Sequence, residues 1–342
     1  MKYSILFLVL FFIGCNAPVD KKGEVKANEE QSTPVNSSND LSAWADAPKK
    51  RITDWLNAVT DSTSKDYIPV ADRIAVFDND GTLWTEYPIP TELIFAIDNL
   101  KVIASKNPAL LKDPVINGIV NNDMEPLKKA GMKGLGKLMA VSHTNMTEEE
   151  FNNAVKNWID TAKDKRFQQP YTKLIYLPMV QLLNYLRANQ FKTFIVSGGG
   201  VDFMRVWTDQ TYGIPPYQVI GTYSDVVYKK VNGKPVIYKT PEHPFLDDKA
   251  GKPVGIHRFI GKIPVFCGGN SDGDQAMMEY TSTSKYKSLC VLLHHTDKER
   301  EYEYDLKTLS GHLETALPKA KELNWLVIDM KNDFKKIFAF EK

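Results

Sequence analysis

Short runs of apolar residues recur along the chain from residue 73 onward, and polar or glycine residues close each run. The runs are RIAVFD (73–78), FKTFIVS (191–197), YQVIG (217–221), IPVFCGG (263–269), SLCVLL (288–293) and WLVID (325–329). A continuous apolar run of this length is typical of a strand that is buried on both faces of a parallel sheet. The pattern therefore predicts a mainly parallel sheet.

Helical spacing of apolar residues fills the intervals between these runs. The predicted helices lie near 178–190, 201–209, 253–260, 273–281, 312–323 and 331–339, and an earlier one carries Trp44, Ile52, Trp55 and Leu56 near one face. Strands that alternate with helices predict an α/β fold with a doubly wound, Rossmann-like sheet. In such folds, ligands bind beyond the carboxyl ends of the strands.

The interval between the first two strands is longer than one crossover requires, and its pattern is helical. TELIFAIDNLKVIASK, EPLKKAGMKGLGKLMA and TEEEFNNAVKNWIDTAKDK carry helical apolar spacing, and Thr147 followed by Glu150 is a capping-box signature. We therefore predict a helical insert over 84–190, whose end returns to a core formed by 41–83 and 191–342. In the core, DVVYKKVNGKPVIY predicts a hairpin that turns at Asn232-Gly233.

The first 40 residues have a different pattern. Lys2 is followed by SILFLVLFFIG, an apolar run that is short for a bilayer-spanning helix and ends at Cys15. This segment, 1–15, resembles a bacterial lipoprotein signal in which Cys15 is lipidated; a plain secretory signal or an uncleaved anchor is the alternative. Residues 16–40 are polar, which predicts a disordered tether. We expect a protein exported to the bacterial cell envelope, periplasmic or at the surface, and held on a membrane through Cys15.

Charge and cysteine content narrow the class of protein. The 342 residues contain 43 Lys and Arg and 42 Asp and Glu, a net charge of +1. The chain therefore has no excess of basic residues that would indicate nucleic-acid binding. Beyond Cys15 the chain has only Cys267 and Cys290, both in predicted strands. A Cys in a strand is usually a buried free thiol, and a disulfide between the two is the alternative. The oligomeric state does not follow from the sequence.

Residues with recognisable chemistry follow the predicted strands. The first strand runs into Asp78-Asn79-Asp80-Gly81-Thr82, and the second into Ser197-Gly198-Gly199-Gly200. Lys252 begins a predicted helix, and the fourth strand is followed by Asn270-Ser271-Asp272-Gly273-Asp274. Because carboxyl ends of parallel strands meet at one edge of a sheet, we expect these four segments to lie together.

The residue types in these segments suit phosphoryl transfer. Asp78 can attack phosphorus to form an acyl phosphate, and Asp80 can protonate the leaving oxygen and later deprotonate water. Ser197 and the glycine amides after it form an anion-binding concavity. Lys252 places a positive charge near the phosphoryl oxygens, where transition-state charge must be offset.

The four segments, in this order and at strand ends, resemble the motifs of the haloacid dehalogenase superfamily. The SGGG turn and the helical insert are similar to its phosphoserine-phosphatase-like branch, which implies that the insert is a cap over the site. The resemblance implies four substrate-binding residues: Asn79, Gly198, Gly199 and Glu86. Glu86 stands one residue earlier than the substrate-binding Glu of that branch, and its alternative is a solvated residue of a flap. Trp84 is either a substrate contact or packed under the cap.

A hard cation such as Mg²⁺ is expected at the same site. Its ligands would be Asp78, the backbone carbonyl of Asp80, and groups of the last loop, for which we choose Asn270 and Asp274. The family often has Asp where this chain has Asn270, so the site carries one charge less, and we expect Asn270→Asp to tighten Mg²⁺ binding. Two alternatives stay open, because Asp272 or Asp274 can be a helix N-cap and Lys249 can replace Lys252.

The sequence thus predicts a Mg²⁺-dependent phosphomonoester hydrolase that acts on a small phosphorylated metabolite through an aspartyl phosphate. A phosphomutase, a pyrophosphatase or a nucleotidase would use the same core residues. A dehalogenase would not need Asp80. From a different class, the alternative is a lipid-tethered binding protein without catalysis. The histidines at 143, 243, 294 and 295 are expected to be at the surface or structural.

Overall fold

The computed structural model describes residues 40–306 and 310–341. The predicted signal segment 1–15 and nearly all of the predicted tether 16–40 lie outside the described residues, so the lipidation of Cys15 stays a prediction. Among the helices of the described residues, none is both long enough and apolar enough to cross a membrane.

A central sheet and a smaller sheet contain all the strands of the described residues. The strands are β1 Ile74–Phe77, β2 Met146–Thr147, β3 Lys192–Gly200, β4 Val219–Thr222, β5 Val226–Val231, β6 Lys234–Lys239, β7 Phe266–Gly269, β8 Leu289–Thr296, β9 Glu303–Tyr304 and β10 Leu326–Asp329. The central sheet has seven strands in the order β10-β8-β7-β1-β3-β4, with β9 antiparallel to β8. All other neighbours in it are parallel. This arrangement confirms the predicted doubly wound, Rossmann-like sheet, because its strands follow the 3-2-1-4-5-6 order.

Helices cover both faces of the central sheet. The α-helices of the described residues are α1 Asp46–Thr60, α2 Thr91–Lys106, α3 Pro114–Val120, α4 Glu125–His143, α5 Glu148–Ile159, α6 Leu177–Ala188, α7 Val201–Arg205, α8 Thr208–Tyr212, α9 Gly251–Phe259, α10 Gln275–Ser282, α11 Ala316–Glu322 and α12 Met330–Asp333. Ala75 and Phe77 of β1 face a core that includes α1 and α6. Ile74 and Val76 face a second core with α9, α10 and α11. Because both faces of β1 are buried, its sequence is continuously apolar rather than alternating.

Two predicted helices differ most from the structure, one divided and one shortened, and the helix predicted at 312–323 begins only at Ala316. The helix predicted at 201–209 is two short helices, α7 and α8, because Trp207 between them leaves the helical conformation. The helix predicted at 331–339 ends at Asp333, since Phe334 is extended and packs edge-on against Trp44 with ring centroids 5.0 Å apart. In both places the apolar spacing marks burial and not a continuous helix.

The long interval between β1 and β3 is helical, as its pattern predicts. Helices α2, α3 and α4 share an apolar cluster of their own, and α5 begins with the predicted capping box of Thr147 and Glu150. The predicted hairpin is present as β5 and β6, with positive φ at Asn232 and Gly233. Its strand β6 also pairs with β2 of the helical interval, a contact that joins two distant segments and has no local sequence signal.

The two strand cysteines face each other across neighbouring strands. Cys267 of β7 and Cys290 of β8 are partners in the register of the sheet. Both side chains are buried and both are free thiols. Of the two possibilities left by the sequence, the structure therefore shows core thiols and not a disulfide.

Candidate active site

The predicted site residues meet at the carboxyl ends of three adjacent strands. The sheet places β7, β1 and β3 side by side; Asn270 and Asp78 directly follow β7 and β1, and Ser197 lies in the last part of β3. The Asp78 amide donates to the Gly268 carbonyl at 2.9 Å, which continues the pairing of β1 with β7. The site is thus built from backbone that the central sheet holds in place.

Lys252 joins the first and last motif segments. It lies in the first turn of α9, and its Nζ is 2.6 Å from Asp78 Oδ1 and 2.6 Å from Asp274 Oδ1, with all three side chains buried. Burial works against the charge of Lys252, but the ion pairs with Asp274 and Asp78 outweigh it and hold its pKa above the ordinary value. Burial raises the pKa of Asp78 to about 7, although the charge of Lys252 opposes that rise.

Asp274 uses its second oxygen to fix the loop that follows β7. Asp274 Oδ2 accepts hydrogen bonds from the Asn270 amide (2.9 Å), the Ser271 amide (3.0 Å) and Ser271 Oγ (3.1 Å). Both carboxylate oxygens of Asp274 therefore have protein partners. In this arrangement Asp274 positions Lys252 and the loop, while its predicted role as a metal ligand stays a prediction.

Asp80 is held by two neighbours in the turn after β1. Trp84 Nε1 donates to Asp80 Oδ1 at 2.9 Å, and Asn79 Nδ2 donates to Asp80 Oδ2 at 3.3 Å. Burial raises the pKa of Asp80 to about 6; the Trp84 hydrogen bond opposes the rise and the charge of Glu92 adds to it. A carboxyl with this pKa can exchange a proton near neutral pH, which suits the acid and base role predicted for it.

The side chains of Trp84 and Asn79 both contact the carboxyl group of Asp80. Trp84 is fully buried and stacks on Trp207 with ring centroids 4.2 Å apart, so of its two predicted roles the structure shows packing. Asn79 is also buried, and its Oδ1 accepts a hydrogen bond from the Tyr212 hydroxyl at 3.2 Å. Both side chains orient Asp80 through their hydrogen bonds, and the predicted contact of Asn79 with substrate stays a prediction.

The glycine turn at the end of β3 lies beside Asp80. The Gly199 amide donates to Ser197 Oγ at 3.2 Å, and the Gly198 carbonyl accepts from Thr222 Oγ1 at 2.7 Å. A Cβ on Gly199 would lie 3.4 Å from Asp80 Oδ2 and 3.5 Å from Ser197 Oγ. Ser197, Gly199 and Asp80 therefore surround one small space.

Glu92 of the helical interval reaches the same space and His143 contacts Glu92; neither residue was predicted at the site. Glu92 Oε2, in the first turn of α2, accepts a hydrogen bond from the Gly200 amide at 2.7 Å, and a Cβ on Gly199 would lie 3.1 Å from this oxygen. His143 Nε2, at the end of α4, is 3.2 Å from Glu92 Oε1. Both atoms are buried and make no hydrogen bond within the described part of the chain. An acidic residue at a helix start is the only sequence signal of this pair, and it is equally typical of a surface helix.

Glu86 is buried beside the loop that follows β7. It is only 3% exposed, and its Oε1 accepts hydrogen bonds from Asn270 Nδ2 at 2.7 Å and the Tyr304 hydroxyl at 3.1 Å. The interpretation of Glu86 as a solvated flap residue is therefore wrong, because tertiary contacts cover it. Burial, followed by the charges of Asp80 and Asp78, raises the pKa of Glu86 well above its ordinary value.

Two alternatives left open by the sequence have separate places in the structure. Lys249 is exposed, while Lys252 contacts the carboxylates, so the geometry supports Lys252. Asp272 Oδ1 accepts hydrogen bonds from the amides of Thr315 and Ala316, both at 2.9 Å. It therefore caps α11, and not the helix that directly follows it.

The oxygens near Asp78 fit a magnesium ion in their chemistry. Asp78 supplies a carboxylate, Asp80 a backbone carbonyl, and Asn270 an amide oxygen, which are ligand types that Mg²⁺ takes together with water. Thr82 Oγ1 lies 2.9 Å from Asn270 Oδ1 and 3.4 Å from Asp78 Oδ2, so these two oxygens lie on the same side of the loop. Within the described ranges, no group of three or more Asp, Glu, His or Cys side chains is arranged to hold a metal. A cation at this site would thus be held by a carboxylate, a backbone carbonyl and an amide oxygen together.

Comparison with known proteins identifies the same segments. The sequence model of the haloacid dehalogenase-like hydrolases matches residues 75–279, a range that includes all four motif segments. No curated protein sequence matches the chain.

Several solved structures are similar to this chain. A conserved protein of unknown function from Anaerococcus prevotii has a TM-score of 0.51 at 14% identity, over 80% of this chain and 97% of that one. A protein of unknown function from Bordetella pertussis has a TM-score of 0.42 at 13% identity, over 75% and 98%. A phosphoserine phosphohydrolase-like protein from Francisella tularensis has a TM-score of 0.36 at 17% identity, over 65% and 87%. The first of these likenesses shows a shared fold.

Proposed function

Because the chain belongs to the haloacid dehalogenase-like hydrolases, we propose that it is a Mg²⁺-dependent phosphomonoester hydrolase that acts through an aspartyl phosphate on a small phosphorylated metabolite. One observation carries the proposal. Asp78, paired with Lys252 at 2.6 Å, lies two residues before a second carboxyl, the partly buried Asp80, whose pKa is raised to about 6. The pair supplies a nucleophile and a proton donor at one strand end.

The roles of the two carboxyls follow from their partners. Asp78 Oδ1 is fixed by Lys252, which keeps a positive charge beside the nucleophile and the phosphoryl oxygens. Asp80 is fixed by Trp84 and Asn79 and faces the space beside Gly199. Attack therefore belongs to Asp78 and proton transfer to Asp80.

The reaction then has two displacements. In the first, a carboxylate oxygen of Asp78 forms a bond to phosphorus while the bond from phosphorus to the leaving oxygen breaks, and Asp80 gives its proton to that oxygen. In the second, Asp80 takes a proton from water, the water oxygen bonds to phosphorus, and the Asp78–phosphorus link breaks. Ser197 Oγ donates a hydrogen bond to a phosphoryl oxygen, and the Gly199 amide, which donates to Ser197 Oγ, orients it. Mg²⁺, when bound, offsets the negative charge of the phosphoryl group and Asp78.

Two further parts of the proposal concern the rest of the chain. The helical interval 84–190 acts as a cap, because Glu92 from it accepts a hydrogen bond from the Gly200 amide of the core. Cys15 carries a lipid anchor that keeps the exported enzyme on a membrane, which the apolar run before Cys15 supports.

The test is phosphate release by the full chain in mild detergent. A panel of phosphomonoesters, a pyrophosphate and a nucleotide is incubated with Mg²⁺ and with chelator, and Asp78→Asn serves as the control. We expect inorganic phosphate from at least one monoester, no release with chelator, and none from the variant. Transfer of phosphate within a sugar without release would identify a mutase. Undiminished activity of Asp78→Asn would refute the proposal.

A further inference from the structure

We propose that His295, held in place by Glu301, is a positioning residue for the catalytic acid. It fixes the carbonyl group of Gly81, the residue directly after Asp80, and so sets the direction of the turn that carries the Asp80 carboxyl group. This inference rests on the proposed role of Asp80 in proton transfer. Both residues of the pair lie outside the four motif segments, and the sequence predicts only a surface or structural position for His295.

The side chain of His295 donates a hydrogen bond to the turn after β1. His295 lies near the end of β8 and is only 2% exposed, and its Nε2 is 2.7 Å from the Gly81 carbonyl oxygen. A carbonyl oxygen only accepts hydrogen bonds, so Nε2 carries the hydrogen and donates it. Strand β7 lies between β8 and β1. The hydrogen bond therefore ties the turn to a strand that is not its neighbour in the sheet.

Glu301 fixes the other ring nitrogen of His295. It is fully buried, and its Oε2 lies 3.1 Å from His295 Nδ1. A half-turn of the ring would place carbon atoms at Glu301 and at Gly81, so the two contacts together define one orientation of the ring. Glu301 is itself held, because it accepts hydrogen bonds from the Tyr302 amide at 2.6 Å and the Tyr176 hydroxyl at 3.1 Å.

The same pair also holds the far end of the turn. Glu301 Oε1 accepts a hydrogen bond from Thr85 Oγ1 at 2.8 Å, four residues after Gly81. Between these two residues, the Gly81 amide donates to the Trp84 carbonyl at 2.8 Å, and Trp84 Nε1 donates to Asp80 Oδ1 at 2.9 Å. The indole that orients the catalytic acid thus lies in a segment that is fixed at both ends.

The carbonyl group of Gly81 depends on this contact. Gly81 is buried and has a φ of 76°, and glycine leaves the backbone more conformations than other residues do. A buried carbonyl group that loses its donor costs free energy, so without His295 the peptide after Gly81 would rotate toward another partner. Because Asp80 directly precedes this residue, the rotation would also move the acid away from the leaving oxygen.

The experiment compares two esters on the full chain in mild detergent, because only one of them needs the proton from Asp80. For an alkyl phosphate and for nitrophenyl phosphate, kcat/KM includes only the steps up to the first displacement. His295→Phe keeps a ring beside Tyr304, whose ring centroid is 4.3 Å from that of His295, and removes both hydrogen bonds. It should lower kcat/KM for the alkyl ester by about 10- to 100-fold, since a misplacement of about 1 Å can cost about 10²-fold. The nitrophenyl ester should lose far less.

Three further variants separate positioning from a general loss of structure. His295→Gln can place an amide nitrogen where Nε2 donates to Gly81, so it should lose less than His295→Phe. Thr296→Val is the matched control, because the next side chain of β8 points to the other face of the strand and the change also removes a hydrogen bond, of 2.6 Å. It should keep the wild-type ratio of the two kcat/KM values. If thermal unfolding shows that His295→Phe does not fold, Thr85→Val removes the hydrogen bond to Glu301 and should change the ratio in the same direction by less.

Asp80→Asn, measured beside these variants, separates the inference from the proposed function. If Asp80→Asn affects the alkyl ester more than the nitrophenyl ester while His295→Phe, or Thr85→Val in its place, lowers both equally, the inference is wrong and the role of Asp80 stands. Equal losses in His295→Gln and His295→Phe would show that the hydrogen bond to Gly81 is not the link. A change of ratio in Thr296→Val as large as in His295→Phe would refute the inference as well. If Asp80→Asn lowers both esters equally, the role of Asp80 and the inference fall together.

Discussion

Replacing Asp80 by Asn separates the two displacements of the proposed reaction. The amide has the shape of the carboxyl group and can keep the hydrogen bond from Trp84 Nε1, which is 2.9 Å long. It cannot give or take the proton that the reaction requires. Asp78, Lys252 and the glycine turn keep their contacts, so the change removes proton transfer and the 3.3 Å hydrogen bond from Asn79 Nδ2.

The magnitude follows from the raised pKa of Asp80. A pKa of about 6 in place of 3.8 increases the protonated fraction at pH 7 on the order of 100-fold. General acid catalysis contributes about 10²- to 10⁴-fold. For an alkyl phosphate, whose leaving oxygen needs the proton, we therefore expect Asp80→Asn to lower kcat/KM by about 10²- to 10⁴-fold, or about 3 to 5 kcal/mol of activation free energy.

An activated ester should respond differently. Nitrophenolate leaves without protonation, so the first displacement should survive in Asp80→Asn, while hydrolysis of the acyl phosphate lacks its base and slows. Rapid mixing should then show a burst of nitrophenol followed by slow turnover. Phosphate should remain on Asp78, stable to acid and cleaved by hydroxylamine, and Asp78→Asn should give neither burst nor label.

Three results would refute these roles. Equal losses with the alkyl and nitrophenyl esters would show that Asp80 does not protonate the leaving oxygen. Label on Ser197 or on a histidine would assign the nucleophile elsewhere. A burst from Asp78→Asn would show that Asp78 does not attack phosphorus.

Further predictions test the surroundings of the two carboxyls and the anchor. Burial is the main cause of the raised pKa of Asp80, and the charge of Glu92 adds to it. Glu92→Gln removes that charge and should lower the pKa of Asp80. Because Asp80 must be protonated to act as the acid, the alkaline limb of the pH profile should then move to lower pH. Trp84→Phe removes a hydrogen bond that lowers this pKa, so the same limb should move to higher pH. Lys252→Met leaves two buried carboxylates without their cation, and denaturant titration should show a loss of about 3 to 5 kcal/mol. Cys15→Ser should leave hydrolysis unchanged and move the protein out of the membrane fraction; recovery at wild-type levels in that fraction would remove the lipidation proposal.

The fold was predictable because its main signals are local. Each parallel strand is a continuous apolar run, since both faces are buried, and each motif segment directly follows such a run. Once the strands are known, the carboxyl edge of the sheet brings Asp78, Ser197 and Asn270 together without further information. The sequence pattern also predicts that Lys252 lies at the start of a helix, where the structure has it.

The side chains that surround the two catalytic carboxyls were less predictable, because their positions depend on contacts between segments that are distant in the sequence. Glu92 lies at the glycine turn and His143 contacts Glu92 because α2 and α4 pack together, and nothing near either residue in the sequence marks these contacts. The burial of Glu86 depends on Tyr304 and Gly311, which follow β8. A short sequence window therefore could not separate a buried Glu86 from a solvated one.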